Sequence, residues 1–194
     1  MVTSDYSIRG ALIDRLQSEL QKDPKTKVLS EVEVCMGYAR VDVMLVNGIL
    51  HGYEIKSDKD SLDRLAHQAG FYEQVFEKIT VVCGERHLER AINELSPWWG
   101  VLIAKTNRKG VRLTKVRTAK LNPIIDPYSL VQLLWKEEAL QELAKRGLDK
   151  GVRSKPRNII WERLVESLPL SELCGVVREC IKNRNDWRID VLPR

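Results

Sequence analysis

Apolar residues recur along the first 120 positions at two spacings, every third or fourth residue and every second residue. The first spacing predicts helices over residues 6–20, about 62–78 and 85–95. The second, together with short apolar runs, predicts strands over residues 27–35, 40–46, 50–56, 79–83, 98–104 and 110–117. This order predicts an α/β fold in which helices flank a mixed sheet containing an antiparallel hairpin.

Residues 40–56 have the pattern of a β-hairpin with Asn47-Gly48 in its turn. A two-residue turn would pair Val46 with Ile49, whereas a three-residue loop would pair Val46 with Leu50. A slip of one residue moves every side chain of a strand to the opposite face of the sheet. We expect the three-residue loop or a bulge.

The register decides whether the charged residues of this hairpin meet. The longer loop sets Asp42 opposite Glu54 and Arg40 opposite Lys56, with Cβ atoms roughly 5 Å apart. The shorter turn sets Asp42 opposite Tyr53. Two opposed carboxylates repel each other, and a bound cation would remove that cost. The longer loop therefore predicts a place for a divalent metal beside a lysine; the alternative is a cross-strand salt bridge on an exposed sheet face.

The same residues resemble a known motif. Val41-Asp42 and Glu54-Ile55-Lys56 look like the signature of the PD-(D/E)xK nuclease superfamily, with Val41 where proline is usual. Gln68-x-x-x-Tyr72 is similar to the Q-x-x-x-Y motif of RecB-type nucleases. The resemblance covers residues 5–104 and is strongest with an uncharacterised bacterial and phage group, which also shares Arg64-Leu65 and Trp98-Trp99-Gly100.

The resemblance implies a restriction-endonuclease-like fold and a bound Mg²⁺ or Mn²⁺ ion. Asp42 and Glu54 would be metal ligands, with the Ile55 carbonyl as a third. Superfamily members often have a further acid near the start of the fold, for which Glu31 is our choice. Glu31 and Glu33 are predicted to share one strand face. The alternative for Glu31 is a solvated residue on an edge strand.

The resemblance also implies the catalytic residues Asp42, Glu54, Lys56 and Gln68. Lys56 would orient or deprotonate the attacking water, or stabilise the transition state. Gln68 would hydrogen-bond a metal-bound water or a phosphate. The alternative is that Gln68 lies on the surface and that Tyr72 belongs only to the core.

Positive charge is concentrated in two stretches. The net charge is +5; residues 105–120 contain seven Lys or Arg and no acid, and residues 145–157 contain six with a single aspartate. Such clusters favour contacts with phosphates, although solvated loops have the same composition. The predicted nucleic-acid-binding residues are Arg40, Arg64, Tyr72, Lys105, Arg108, Lys109, Arg112, Lys155 and Arg157.

The C-terminal third has a different organisation. We assign residues 1–120 to the nuclease-like core, and a linker containing Asn122-Pro123 and Asp126-Pro127 follows it. Residues 127–194 are predicted to form a helical subdomain. Within that subdomain, residues 143–164 resemble a SAP-type helix-loop-helix DNA-binding module, from which Pro156 departs.

Composition and residue spacing bear on the expected location of the protein and on whether it has a structural zinc site. No run is long and apolar enough to span a membrane, and residues 1–10 show no signal-peptide pattern, so we expect a cytoplasmic protein without a membrane partner. The four cysteines and three histidines lack the spacing of a structural zinc site.

Three functions are consistent with the sequence. The first is a Mg²⁺-dependent deoxyribonuclease acting in DNA repair, recombination or phage–host conflict. The second is a nucleic-acid-binding protein of the same fold without activity, and the third is a protein-interaction module whose basic stretches meet an acidic partner. Superfamily members that cut both strands are often dimers, so the resemblance also allows a homodimer.

Overall fold

The structure is a computed structural model that describes residues 3–108 and 110–184. Helices α1 and α2 cover Asp5–Lys22 and Leu65–Tyr72, and α3 covers Leu88–Glu94. The strands are β1 Lys27–Val34, β2 Ala39–Val46, β3 Leu50–Lys56, β4 Lys78–Gly84, β5 Gly100–Asn107 and β6 Gly110–Arg117. The C-terminal helices are α4 Pro127–Val131, α5 Lys136–Lys145, α6 Arg157–Ser167 and α7 Leu170–Asn183.

The six strands form one mixed sheet in the order β1-β2-β3-β4-β5-β6. The β1–β2, β2–β3 and β5–β6 pairs are antiparallel, whereas β3, β4 and β5 run parallel. Parallel neighbours need a crossover, which α2 and α3 supply. The mixed α/β sheet with flanking helices and an internal hairpin is confirmed.

Helices cover both faces of the sheet. Ile8, Leu12 and Leu16 of α1 pack against one face. The other face forms a larger cluster with α2, α3 and the C-terminal helices. The predicted linker corresponds to the segment between β6 and α4, and residues from both sides of it belong to this larger cluster. No helix of the described residues is long and apolar enough to cross a membrane.

Two predicted elements differ in detail. Helix α2 begins at Leu65 because the Asp60 carboxylate accepts hydrogen bonds from the N–H and hydroxyl of Ser57, which holds a turn before it. It ends at Tyr72, beyond which Gln74 and Val75 make tighter bonds to residues three positions back. The apolar residues whose spacing predicts this helix are nevertheless buried, including Leu62 and Phe76 outside the helix.

Strand β1 does not alternate regularly. Glu31 has a positive φ of 53°, and Leu29 and Val32 on either side of it belong to the same hydrophobic cluster. In a regular strand these two residues would face opposite sides. The regular alternation expected of this strand is therefore interrupted at Glu31, where the backbone turns.

Candidate active site

The β2–β3 hairpin has the register that brings its charged residues together. Val46 pairs with Leu50, so the three-residue loop is confirmed, and the ladder continues to Val43 and Tyr53. One further step sets Asp42 opposite Glu54. There the Ile55 N–H donates to Asp42 Oδ2 at 2.6 Å, so a side chain takes the place of a backbone acceptor.

Glu54 and Lys56 lie in a closed ring of hydrogen bonds. Lys56 Nζ donates to Glu54 Oε1 at 2.7 Å and to Gln68 Oε1 at 3.1 Å. The Gln68 amide donates to the Tyr72 hydroxyl at 3.3 Å, and that hydroxyl lies 2.8 Å from Glu54 Oε2. Both Glu54 and Lys56 are buried, at 2% and 9% exposure. The ring therefore fixes the lysine in one orientation.

Two side chains of α2 have positions that define their roles. Gln68 lines the cleft and supports Lys56. Tyr72 is fully buried, and its hydroxyl reaches either Glu54 or the Arg40 carbonyl, which lies 2.7 Å away. The prediction that Tyr72 contacts nucleic acid is not compatible with this burial. Its hydroxyl instead positions Glu54.

A guanidinium that the sequence did not single out holds Asp42 in place. Arg9 of α1 donates to the Asp42 carbonyl at 2.8 Å and to Asp42 Oδ1 at 3.1 Å. The same group donates to Glu31 Oε1 at 2.7 Å and lies 3.5 Å from Asp5. Arg9 is separated from Asp42 by 33 positions, and only its place on the polar side of α1 could have suggested a role.

Glu31 lies beside Asp42 on the neighbouring strand, since the pairs Ser30–Val43 and Val32–Val41 flank them, and both carboxylates accept from Arg9. The second Glu31 oxygen accepts from Arg40 at 2.8 Å. Within residues 3–108 and 110–184, no group of three or more Asp, Glu, His or Cys side chains is arranged to hold a metal. Arg9 and Arg40 form ion pairs with the Glu31 carboxylate, which lines the same cleft as Asp42 and Glu54, and its role as a metal ligand stays a prediction.

Asp42 is costly to ionise in this position. Burial and the neighbouring Glu54 carboxylate raise the pKa of Asp42 to about 7, against the opposing effects of the Ile55 N–H and Arg9. Burial likewise raises the pKa of the Tyr72 hydroxyl, so this group stays protonated and can donate. Asp42 and Glu54 lie close together, and a negative charge on Asp42 costs free energy there. Their surroundings therefore favour the binding of a cation.

These groups open into a cleft of about 540 Å³. Its wall includes all four predicted catalytic residues together with Ile55, Glu31, Arg40 and Arg64. Asp5, Glu33 and Asp60 also line it, so carboxylates outnumber cations there. Tyr38, which the sequence did not single out, lies at the cleft, is 75% exposed and stacks on Phe71 at 5.7 Å.

The donor set of the cleft fits a hard divalent cation. Asp42 and Glu54 supply oxygen atoms only, and Mg²⁺ commonly uses one or two carboxylates while keeping several waters. Each carboxylate oxygen accepts one hydrogen bond or ion pair from the protein, and its second lone pair remains for another partner. Ile55 borders the same space, in keeping with its predicted carbonyl ligand.

The predicted basic residues flank this acidic cleft. Lys56, Gly84 and Asn107 end the parallel strands β3, β4 and β5, so the β5–β6 turn lies at the same sheet edge. Neighbouring strands are about 4.8 Å apart, which places β5 roughly 10 Å from Lys56. The turn region carries exposed Lys105, Arg108 and Arg112; Lys105 pairs with Glu85 at 2.5 Å. Lys109 lies outside the described residues.

The other flank comes from the C-terminal helices. Exposed Arg157 begins α6 and lies 3.6 Å from Met36 Sδ, in a cavity that shares Glu33 and Gly37 with the cleft. Lys155 precedes it and is exposed. The end of α5, the loop after it and most of α6 make up residues 143–164, and the resemblance of this segment to a SAP-type module stays a prediction. Basic groups thus lie at the edge of the cleft near Met36 and, two strands away from Lys56, at the β5–β6 turn, although Arg40 is partly neutralised by Glu31.

The amino-acid sequence matches the family model described as Bacteriophage P4 protein cII over residues 2–192. The chain belongs to this family. Protein cII of Enterobacteria phage P4 is 27% identical over 180 residues, which are 93% of this chain and 67% of that relative. Among solved structures, the SPO1766 protein of unknown function from Silicibacter pomeroyi is 18% identical with a TM-score of 0.45, covering 76% of this chain and 94% of the other. Membership of the P4 cII family assigns no chemistry to the cleft, which has to be inferred from its side chains.

Proposed function

We propose that this protein is a metal-dependent nuclease of the PD-(D/E)xK type that hydrolyses phosphodiester bonds in DNA. One observation carries the proposal: Asp42 and Glu54 line the same cleft just beyond the β2–β3 ladder, close enough for Glu54 to raise the pKa of Asp42, and Lys56 is fixed 2.7 Å from Glu54. A surface salt bridge would not need a buried lysine oriented by a glutamine and a tyrosine. The six-stranded mixed sheet supports the restriction-endonuclease-like assignment.

The proposed chemistry divides the roles among four side chains. Asp42 and Glu54 hold Mg²⁺ or Mn²⁺, with the Ile55 carbonyl as a further ligand. The metal supplies charge neutralisation at the phosphate and lowers the pKa of a bound water. Among the described residues Lys56 makes two hydrogen bonds, so its third N–H remains for the phosphate or the attacking water. Gln68 and Tyr72 are positioning residues that keep Lys56 and Glu54 in place.

The charge distribution supports a polyanionic substrate. The basic β5–β6 turn and the start of α6 lie on either side of the cleft, where they can contact phosphates next to the one that is cleaved. Tyr38 offers an exposed ring on which a base can stack. The phage origin of the P4 relative agrees with a role in phage–host conflict or phage DNA metabolism; a homodimer stays a prediction for cleavage of both strands.

Cleavage assays test the proposal directly. Purified protein is incubated with supercoiled plasmid and with single-stranded, duplex and branched oligonucleotides, in Mg²⁺, Mn²⁺ or EDTA. We expect cleavage that requires the metal and falls by at least about 10²-fold in Asp42→Asn and Lys56→Gln, as loss of a positioned catalytic group typically does. The substrate that is cut fastest identifies the preferred DNA form.

The control is Lys59→Gln, which removes an exposed positive charge three positions from Lys56. This variant should cut at nearly the wild-type rate. Cleavage that persists in Asp42→Asn, or no cleavage of any substrate with either metal, would overturn the nuclease proposal. A gel shift without cleavage would instead favour the nucleic-acid-binding alternative, and loss of both would favour the protein-interaction module.

A further inference from the structure

Another cavity, with several basic residues in its lining, lies at the far end of the sheet from the cleft. Its volume is about 170 Å³, and it shares no lining residue with the cleft. The cavity lies near the start of β3, β4 and β5, where His51, Lys78 and Gly100 are found. Lys56 lies at the opposite end of β3. The cavity is on the α1 face, since Tyr53 and Leu102 line it and belong to the α1 cluster.

The charge of this cavity is of one sign. Four cationic residues line it, and no Asp or Glu does: the cations are Arg15, Lys78, Lys115 and Arg117. Among the described residues, Lys78, Lys115 and Arg117 form no ion pair with an acidic side chain. Arg117 is held by the carbonyls of Trp99 and Ser96, at 2.7 and 3.3 Å. Like charges gathered around one space repel each other, and a bound anion would offset that cost.

The local structure keeps these groups together. A register shift in the β5–β6 pair at Val101 and Leu102 sets Lys115 opposite Leu102 and Arg117 opposite Val101. Gly100 of β5 leaves room for Thr80 of β4 and for Ala119, which follows β6. A Cβ at position 100 would lie 2.4 Å from Thr80 Oγ1 and 3.0 Å from Ala119 Cβ. Arg15 of α1 is anchored by a bond to the Leu113 carbonyl at 3.2 Å.

Neutral donors complete the lining. The Tyr53 hydroxyl lies 3.2 Å from His51 Nδ1, and His51 Nε2 lies 2.8 Å from Thr80 Oγ1. Burial and the nearby Lys78 lower the pKa of His51 to about 3, so the ring is neutral at pH 7. A neutral imidazole donates through one nitrogen and accepts through the other. When Nε2 carries the proton, Thr80 keeps its own hydroxyl hydrogen to donate into the cavity.

We propose that this cavity is an anion site that binds a single phosphate group. The volume lies below the roughly 300–1,000 Å³ of sites for whole organic ligands, which favours one tetrahedral oxyanion. Lys78 and Lys115 supply charge, Arg117 adds positive potential, and Thr80 donates a hydrogen bond. The phosphate is either free inorganic phosphate or the terminal group of a nucleotide or DNA strand. This site does not depend on the nuclease proposal, because it uses none of the same residues.

Calorimetric titration with inorganic phosphate, at constant ionic strength set with chloride, tests the site. We expect saturable binding of one phosphate per chain. Lys78→Gln and Lys115→Gln should each weaken it by at least about tenfold, the effect of losing one charge-assisted hydrogen bond. Thr80→Val, which keeps the side-chain shape, should weaken it about threefold to tenfold. Thermal melts in chloride verify that each variant is folded.

Two controls and two further ligands sharpen the result. Lys150→Gln and Lys59→Gln each remove an exposed charge elsewhere, and both should bind phosphate as the wild type does. Tighter binding of a nucleoside 5′-monophosphate or a 5′-phosphorylated oligonucleotide than of inorganic phosphate would identify a terminal phosphate as the ligand; equal or weaker binding would identify free phosphate. Binding that does not saturate, or that is unchanged in both lysine variants, would overturn the proposal.

Discussion

Opposing effects act on the ionisation of the Asp42 carboxyl group. Its carboxylate accepts from the Ile55 N–H and Arg9, which favour the ionised form, yet it is largely buried and faces Glu54. Burial and the like charge are the stronger effects, since the pKa of Asp42 is raised to about 7. The folded chain therefore holds a proton that the unfolded chain would release. Such a site costs stability without a cation, as is common where side chains are arranged for function.

This raised pKa predicts how Asp42→Asn changes stability with pH. Between about pH 4, where an unfolded aspartate titrates, and about pH 7, the folded state binds more protons than the unfolded state. Linkage then requires that the contribution of Asp42 to stability is full below pH 4 and is lost as the pH rises towards 7. In EDTA, the unfolding free energy of Asp42→Asn relative to wild type should rise across this window, by up to about 1.4 kcal/mol per pH unit.

Urea denaturation at pH 4.5, 6 and 8 measures this difference. The variant has to be compared with the wild type because His51, whose pKa is lowered to about 3, makes stability rise with pH over part of the same range. Both proteins contain His51, so its effect cancels in the difference between them. Glu162→Gln, at an exposed position of α6, is the control and should show no such trend. A difference for Asp42→Asn that stays constant with pH would contradict the raised pKa.

The sequence predicts site residues well where they are close along the chain. Asp42, Glu54 and Lys56 belong to one hairpin, whose turn and alternation limit the register to two choices. Arg9 could not be predicted in the same way, because it reaches Asp42 through the packing of α1 on the sheet. Tyr72 has the expected spacing from Gln68 and is buried, as its place in the apolar spacing predicts. Its predicted contact with nucleic acid is what fails, since a spacing of four does not show where the hydroxyl points.

At the scale of elements, the hairpin depends on how closely it packs against the chain after α2. Gly52 in the middle of β3 faces the Phe76 ring, and a Cβ at that position would meet three ring carbons at 2.9–3.1 Å. Phe76 is fully buried and cannot move outward. Gly48 lies in the turn of the same hairpin, and a Cβ there would meet nothing within 4 Å.

Gly52→Ala should therefore destabilise the protein, and Gly48→Ala is its matched control. Overpacking of a dense core typically costs about 1–3 kcal/mol, and we expect a loss in this range for Gly52→Ala from urea denaturation. Gly48→Ala should change the free energy of unfolding by less than about 1 kcal/mol, because it adds a methyl group in open space. Equal effects of the two changes would mean that Phe76 does not limit the space above β3.

Element order could be predicted from the sequence more fully than element geometry. Hydrophobic spacing is a local signal, and the order of strands and helices follows from it. The irregularity of β1 at Glu31 has no such signal, because a glutamate with positive φ is stabilised by its ion pairs with Arg9 and Arg40. The ends of α2 depend on Asp60 and on tight turns after Tyr72, which apolar spacing does not reveal.

At the scale of the whole molecule, charge is arranged around the cleft in an uneven way. The cleft itself contains more carboxylates than cations, whereas its flanks carry the basic β5–β6 turn and Arg157. DNA would therefore be held mainly from the flanks, with a metal ion reducing repulsion at the centre. Basic stretches from two distant parts of the sequence meet this requirement only because the C-terminal helices pack on the sheet.

This arrangement predicts a specific change in the salt dependence of DNA binding. Each cation that neutralises a phosphate of duplex DNA contributes about 0.9 to the slope of log affinity against log salt concentration. Arg108→Gln, on one flank, and Arg157→Gln, on the other, should each reduce the slope by about that amount. Lys25→Gln, at an exposed position next to the start of β1 and at the opposite end of the sheet, should leave it unchanged.

Fluorescence anisotropy with a labelled duplex in EDTA, where metal-dependent cleavage is prevented, measures these slopes over about a sixfold range of salt, from roughly 50 to roughly 300 mM. A reduced slope for only one flank would show that DNA contacts the cleft from that side alone. If all three variants have the same slope as the wild type, neither flank contacts phosphates. The uneven charge would then need another partner, and an acidic protein surface would become the better explanation for the basic stretches.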